Sequence, residues 1–391
     1  MFSTRTSWHR HPNRLTRILD SRRKDGLPVY DLTKSNPTEC SIPYPEKAIR
    51  DAVSRSDMFR YQPDPRGLLS ARKAVADMEL QRGVRVTPDN VFLTASTSEA
   101  YSILFRLLCN PGESVLAPKP SYPLFDFLTR VNDVTLQFYQ LRYDGDWHID
   151  LDSLERAVSP ASRAMIIVHP HNPTGMFIGR AEYLELRQFA LRHHLYLIVD
   201  EVFSEYPFDD SRDFVRSAAP EGDVLTFTLD GISKMYGLPQ MKLGWILVSG
   251  PGSLVNEAAG RLEILLDTYL SVNTPVQAAL PDLMIAGTTI RDSIRERIRS
   301  NYRSLKELIL QNSPVSLLGG SGGWYAILRV PGIKTDEEWA IELLQKRGIL
   351  LHPGYFFEFE EGAYLLVSLI VEPELLGNKA ADVIDYIRQY G

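Results

Sequence analysis

Through the middle of this 391-residue chain, short apolar runs alternate with amphipathic ones, and that alternation constrains the fold more than any other feature. Strand-like runs lead into Ser96, start at Ser114, Val134 and Met165, end at Asp200, and start again at Val224 and Leu243. Helical patterns lie between them, such as Glu182 to His194, where Leu184, Leu186, Phe189 and Leu191 fall near a 3.6-residue period. Strands that are apolar at every position suit a sheet covered on both faces, so the spacing predicts an α/β domain with a mostly parallel sheet between helices. Beyond about residue 283 the pattern changes to a charged helix from Thr289 to about Leu310, strands near 324–329 and 364–370, and a closing helix from Glu372 to Tyr390. That predicts a smaller α+β domain. Pro12, Pro28, Pro37, Pro43 and Pro45 make the first 45 residues read as an irregular, extended arm. The expected division is therefore an arm with part of a small domain over 1–47, a large domain over 48–282 and a small domain over 283–391.

Charge and composition narrow the function classes. Lysine and arginine total 43 against 49 aspartate and glutamate, a net charge of −6, and no basic block is longer than Arg22-Arg23-Lys24. A nucleic-acid footprint is not expected, and neither is a membrane span. Two cysteines, Cys40 and Cys109, supply neither a disulfide framework nor a metal-ligand pattern, and the opening residues lack the apolar stretch of a secretory signal. The expectation is a cytoplasmic protein without a metal.

Chemistry concentrates where predicted strands end, the edge at which open α/β sheets bind ligands. Ser96-Thr97-Ser98 ends one strand and opens a helix; it reads either as a simple N-cap or as a phosphate cradle at the positive end of the helix dipole. His171-Asn172-Pro173-Thr174-Gly175 follows the strand-like run from Met165 and, taken alone, could be a plain turn. Asp200 closes a third strand, where a solvated carboxylate is the ordinary expectation. Lys234 stands in the loop from Gly231 to Trp245 between two apolar runs, a poor place for a merely solubilising charge. Partial burial there lowers an amine's pKa and frees it as a nucleophile.

In this order the motifs resemble those of the fold-type I, class I/II aminotransferases, enzymes dependent on pyridoxal 5′-phosphate (PLP), over nearly the whole chain from about Asp31. The resemblance implies the PLP-dependent transferase fold, with Lys234 forming the Schiff base and moving the substrate proton. Asp200 would pair with the pyridine nitrogen and Asn172 with the ring hydroxyl. Tyr122 would lie on the ring, while Ser96, Thr97, Ser98, Ser233 and Lys242 hold the phosphate. Tyr61 would reach the phosphate of a neighbouring subunit, which implies a homodimer with shared sites. The substrates implied are an amino acid and a 2-oxo acid.

Several positions depart from the family pattern. Lys242 stands where an arginine fork is usual, Gly231 where a serine is usual, and Phe203 where a tyrosine is usual. Leu366 occupies the position of the arginine that clamps the substrate carboxylate, and nothing from Glu361 to Val371 is basic. Lys34-Ser35-Asn36-Pro37 replaces a stretch that normally carries a glycine. Lys34 and Arg5 are then the candidate substitute cations, Ser35 and Asn36 candidate substrate contacts, and Leu366 an apolar wall favouring a substrate with a hydrophobic or aromatic portion. Transamination leads these readings. A PLP lyase, decarboxylase or cyclising synthase stays open, as does a catalytically silent regulatory homologue.

Overall fold

A computed structural model describes residues 2–8, 10–54, 56–209, 214–215, 222–310 and 313–390. Its centre is an eight-stranded sheet in the spatial order Val91–Thr94, Gly244–Ser249, Thr226–Gly231, Tyr196–Asp200, Ser162–Val168, Ser114–Lys119, Thr135–Tyr143, Trp147–Ile149. The five strands from Thr226–Gly231 to Thr135–Tyr143 run parallel to one another. Gly244–Ser249 runs antiparallel to both of its partners, and Trp147–Ile149 closes the far edge as an antiparallel hairpin strand.

Both faces of this sheet are covered, which is why its strands are apolar throughout. In Ser162–Val168, for example, Ile166 and Val168 enter one core with Phe105, Ile246 and Leu262, while Met165 and Ile167 enter the other with Leu186 and Phe189. The helix expected near Glu182 spans Arg180–Arg192. Its buried face is Tyr183, Leu186, Phe189 and Ala190; Leu184 and Leu191, counted toward that face from the sequence, are exposed.

Two elements differ from the sequence expectation. Residues 1–45 are not simply extended: Arg14–Lys24 is a helix, capped by the Asn13 side chain accepting from the Thr16 N–H at 2.8 Å. It buries Leu15, packs on the helix Asp336–Arg347 and ties to it through Arg22, which donates to the Gln345 carbonyl at 3.0 Å. The long helix starts at Thr274 rather than Thr289 and runs to Leu310, straight through Pro281. A proline costs one backbone hydrogen bond and crowds the preceding turn. Burial of Val276, Ala278, Leu280 and Leu283 in that stretch offsets this.

A second, four-stranded antiparallel sheet has the order Ser316–Leu317, Tyr325–Arg329, Tyr364–Ser368, His352–Pro353. The N-terminal segment joins this side of the molecule through a short parallel pair, Tyr30–Asp31 with Ile349–Leu350. The long helix binds the two halves together: Gly287 lets it approach Tyr236 so closely that an added Cβ would stand 2.5 Å from the Tyr236 Cβ. No helix among the described residues is long and apolar enough to cross a membrane.

Candidate active site

At the C-terminal ends of the parallel strands, opposite Tyr325 of the second sheet, lies a cavity of about 250 Å³. Each strand end contributes one feature to it.

Helix Thr97–Leu108 begins at the first. Ser96 is its N-cap, with the hydroxyl accepting from the Glu99 N–H at 3.2 Å, and Glu99 reaches back to the Ala95 N–H at 2.6 Å. Ser96, Thr97 and Ser98 also line the cavity, so the cap and the anion cradle are the same structure. The N–H groups of Thr97 and Ser98 have no acceptor within the helix and carry the positive end of its dipole. Glycine at 231 and 244 keeps this corner open. The two residues face each other in the antiparallel ladder, and a Cβ on Gly244 would stand 3.4 Å from the Thr97 nitrogen.

The second feature is the loop carrying Asn172. His171 and Met176 close it through a backbone hydrogen bond of 2.8 Å, and the His171 ring is held by Thr174 at 3.0 Å. Gly175 has φ +70°, and its carbonyl accepts from the N–H groups of Ser321 and Gly322. A Cβ at 175 would stand 2.3 Å from the Gly322 oxygen, so glycine is required where the two loops meet. Asn172 lines the cavity with its side-chain oxygen buried and unpaired. A buried amide oxygen in that state costs free energy unless something donates to it.

Asp200 ends the third strand and is 8% exposed. Its two oxygens accept from the Tyr101 hydroxyl at 3.0 Å and the Val202 N–H at 3.1 Å, both neutral donors. Burial pushes its pKa up to about 6, while those two hydrogen bonds pull the other way. Lys234 follows the fourth strand in the short helix Ile232–Met235, whose backbone is fixed by the Tyr206 hydroxyl donating to the Lys234 carbonyl at 2.6 Å. The lysine nitrogen faces rings rather than a carboxylate: it stands 4.9 Å from the Trp324 ring centre and 5.9 Å from that of Phe203. Burial lowers its pKa.

These residues fit PLP by their own chemistry. A buried acid touched by neutral donors, an amine facing aromatic rings, the N-terminus of helix Thr97–Leu108 and the Asn172 amide, which carries both a donor and an acceptor, surround one cavity large enough for a pyridine ring. Ser233 and Tyr122 also line it; Tyr122 is 44% exposed, at the mouth.

Other residues singled out from the sequence lie elsewhere. Lys242 is exposed, with a left-handed backbone at φ +52°, while its neighbours Leu243 and Gly244 line the cavity. Tyr61 is 74% exposed and lines a separate cleft with Gln62, Leu270 and Gln277. Arg5 pairs with Asp133 at 3.2 Å on the surface. Lys34 acts electrostatically on Glu372 and Cys40, and Asn36 caps its own short turn through the Thr38 N–H at 3.2 Å. Leu366 forms no wall of the cavity, because it is fully buried in the core with Ile327 and Phe357. Ser35 does line the cavity, beside Trp324 and Tyr325. Trp324 and Tyr325 carry no local motif; the sequence signal for them is the glycine cluster Gly319, Gly320, Gly322 and Gly323 just before a strand.

Residues 29–370 match the family model for aminotransferase class I and II. The chain belongs to the class I and II aminotransferase family. Among curated relatives it is 27% identical over 344 residues to a glutamate-pyruvate aminotransferase of Escherichia coli strain K12, covering 86% of this chain and 84% of that one. It is 28% identical over 379 residues to an alanine aminotransferase of Mycobacterium tuberculosis, covering 94% and 86%. Its fold matches that of an alanine aminotransferase from Pyrococcus furiosus with a TM-score of 0.89 over 100% of both chains, at 22% identity. The protein is thus a PLP-dependent aminotransferase of fold type I, with an amino acid and a 2-oxo acid as its substrate classes. This decides against the lyase and silent-homologue readings of the sequence.

Proposed function

We propose that Lys234 is the lysine that carries PLP and moves the proton at the substrate α-carbon, and that the amino donor has a hydrophobic or aromatic portion. The observation that carries the first half is the Lys234 amine itself, buried among Trp324 and Phe203 with its pKa lowered. A lowered pKa leaves more of the amine unprotonated at neutral pH, the form that attacks as a nucleophile and can accept a proton. When bound, PLP supplies the electron sink that stabilises negative charge on the substrate carbon. Asp200 would pair with the ring nitrogen, Asn172 would hold the ring hydroxyl and Tyr122 would pack against the ring. The N–H groups of Thr97 and Ser98, with the Ser96 and Ser233 hydroxyls, would hold the phosphate, and Lys242 would add charge to it.

The substrate reading rests on the remaining wall, where Leu124, Phe125, Leu128, Val202 and Phe203 offer no partner to a second carboxylate. The assembly we propose is a cytoplasmic homodimer in which Tyr61 reaches its neighbour's phosphate. Residues 48–282 serve as the PLP domain, flanked by 1–47 and 283–391, with the 282/283 division falling inside the long helix.

Two measurements test this. Borohydride reduction of the holoenzyme followed by mass spectrometry should find the cofactor on Lys234 and lose it in Lys234→Ala; an adduct on another lysine overturns the assignment. A half-reaction screen should convert the cofactor to its pyridoxamine form with phenylalanine or leucine faster than with aspartate. Alanine and glutamate serve as references, after the relatives' names. Efficient conversion by aspartate with the aromatic donors inert overturns the substrate reading.

A further inference from the structure

A carboxylate drawn into this cavity loses its hydration and needs donors in return. Among the described residues the only basic side chain lining the cavity is Lys234, and the cofactor takes it. Arg5 is committed to Asp133, and Lys34 acts on Glu372 and Cys40. His352 is not a cation either, since burial pushes its pKa down to about 4 against the weaker pull of Asp31.

The second sheet shows what stands in place of a cation. In its antiparallel ladder Tyr325 lies opposite Ser368, Ile327 opposite Leu366, and His352 opposite Leu366. Directly paired residues share a face, as do residues two apart on one strand, so Tyr325, Ile327, Leu366, Ser368 and His352 all project to the same side. Position 366 is sealed on that side: Leu366 is fully buried in the cluster that holds Ile327 and Phe357, and the His352 ring centre lies 5.9 Å from that of Phe357. Tyr325, one rung further along, does reach the cavity.

We propose that the Tyr325 hydroxyl, seconded by Ser35, receives the substrate's carboxylate through neutral hydrogen bonds; this rests on the amino-acid reading above. Ser35 and Tyr325 both line the cavity, so the two residues border the same space. Burial raises the phenol's pKa, against the pull of the Ser35 side chain and with a smaller push from Tyr122, so Tyr325 keeps its proton and remains a donor at neutral pH. The neighbouring Trp324 also lines the cavity, and its indole N–H is buried with no partner, a further unused donor beside the same wall.

A neutral anchor has a consequence that a guanidinium would not. It should discriminate weakly between a carboxylate and a carboxamide of the same shape, because each offers a carbonyl-type oxygen to the two hydroxyls. The test is a titration of the PLP-loaded enzyme with 3-phenylpropionate, propionate and 3-phenylpropanamide, none of which can donate an amino group, read by the change in cofactor absorbance. For Tyr325→Phe the acids should bind about 10-fold to 100-fold more weakly, the range for a lost hydrogen bond to a charged group. The amide should weaken less, and Ser35→Ala should cost the acids a smaller factor. In steady state the variant should raise KM for the 2-oxo acid more than it lowers kcat, with the unliganded cofactor spectrum and Tm unchanged.

Equal affinity of wild type and Tyr325→Phe for the acids overturns the proposal, as does wild-type enzyme that binds none of them. A Tyr325→Phe loss that falls only on kcat also overturns it. If the acids bind as expected but no amino donor converts the cofactor, the substrate reading fails while the anchor stands.

Discussion

Asp200 and Asp230 close adjacent strands of the same sheet, both are buried, and they are provided for in opposite ways. Asp230 is surrounded by charges belonging to the chain. Its carboxylate stands 3.4 Å from Arg82, which also meets Glu79 at 3.1 Å and Glu205 at 2.6 Å, and Arg295 completes the group at 2.9 Å from Glu205. Among the described residues Asp200 has only the Tyr101 hydroxyl and the Val202 N–H. An acid buried with neutral donors alone is a poor way to stabilise a fold, since desolvation disfavours its charge. It is a good way to hold a carboxylate ready for a cationic ring nitrogen. On the proposed reading, the pair teaches that burial does not mark the functional acid; the missing counter-charge does.

The comparison breaks most visibly at Asp200. Asp200→Asn should lower kcat/KM by about 10²-fold to 10³-fold or more, the scale seen when one preorganised electrostatic partner is removed. A loss under tenfold would mean that the ring nitrogen is not its partner. The cofactor-free protein should respond in the opposite sense. Because the folded carboxyl binds its proton more tightly than the ordinary 3.8 would give, its favourable contribution is complete below 3.8 and is lost as pH rises toward about 6. Two pKa units correspond to about 3 kcal/mol, so Asp200→Asn apoprotein should be the more stable form at pH 7 and lose that advantage near pH 4. Thermal unfolding of both apoproteins across that range measures it. A wild type as stable at pH 7 as the variant would show that Asp200 has a charge partner within the chain.

Arg82 sharpens the other side. Arg82→Met leaves Glu79, Glu205 and Asp230 without their shared guanidinium, and stripping one partner from a buried ion pair costs about 3–5 kcal/mol. Denaturant unfolding should show that loss, while the protein that remains folded still attaches PLP at Lys234. Normal stability with failed cofactor attachment would reverse the roles assigned to the two acids.

The cofactor half of the cavity was legible in the sequence because each of its residues directly follows an apolar strand, so strand ends and motif order coincide. Strands buried on both faces announce themselves, as Met165 to Val168 does. Of the other half, only Ser35 was legible. Ser35, Trp324 and Tyr325 reach the cavity from the N-terminal segment and a strand of the second sheet, and the loop before Trp324 meets the Asn172 loop where Ser321 and Gly322 donate to the Gly175 carbonyl. No local spacing encodes such a meeting. The leucine at 366 was read as a cavity wall, yet whether that side chain lined the cavity or the core depended on Ile327 and Phe357, which belong to other elements. The helix Arg14–Lys24 was hidden for a different reason: Leu15, Ile18 and Leu19 have helical spacing, but the flanking prolines dominated the reading. Pro281 masked the start of the long helix in the same way.

The smallest effect sits between the two halves, at Phe203. Its ring lines the cavity, meets Trp324 edge-on with ring centres 5.3 Å apart, and lies within cation–π reach of the lysine nitrogen. A phenylalanine there donates nothing to the cofactor's ring hydroxyl, which leaves Asn172 as its side-chain donor in our reading. Phe203→Tyr adds a hydroxyl that can stabilise the ionised oxygen, and a donor to the charged form lowers a pKa. The spectroscopic pKa of the bound cofactor should therefore fall, by up to about one unit for a single hydrogen bond worth about 1 kcal/mol. Catalysis should change only a few-fold, because the acid and the amine that carry the chemistry are untouched. An unchanged or raised spectroscopic pKa would show that residue 203 belongs to the apolar wall alone, and would move the boundary between the two halves of the cavity to the cofactor side of Phe203.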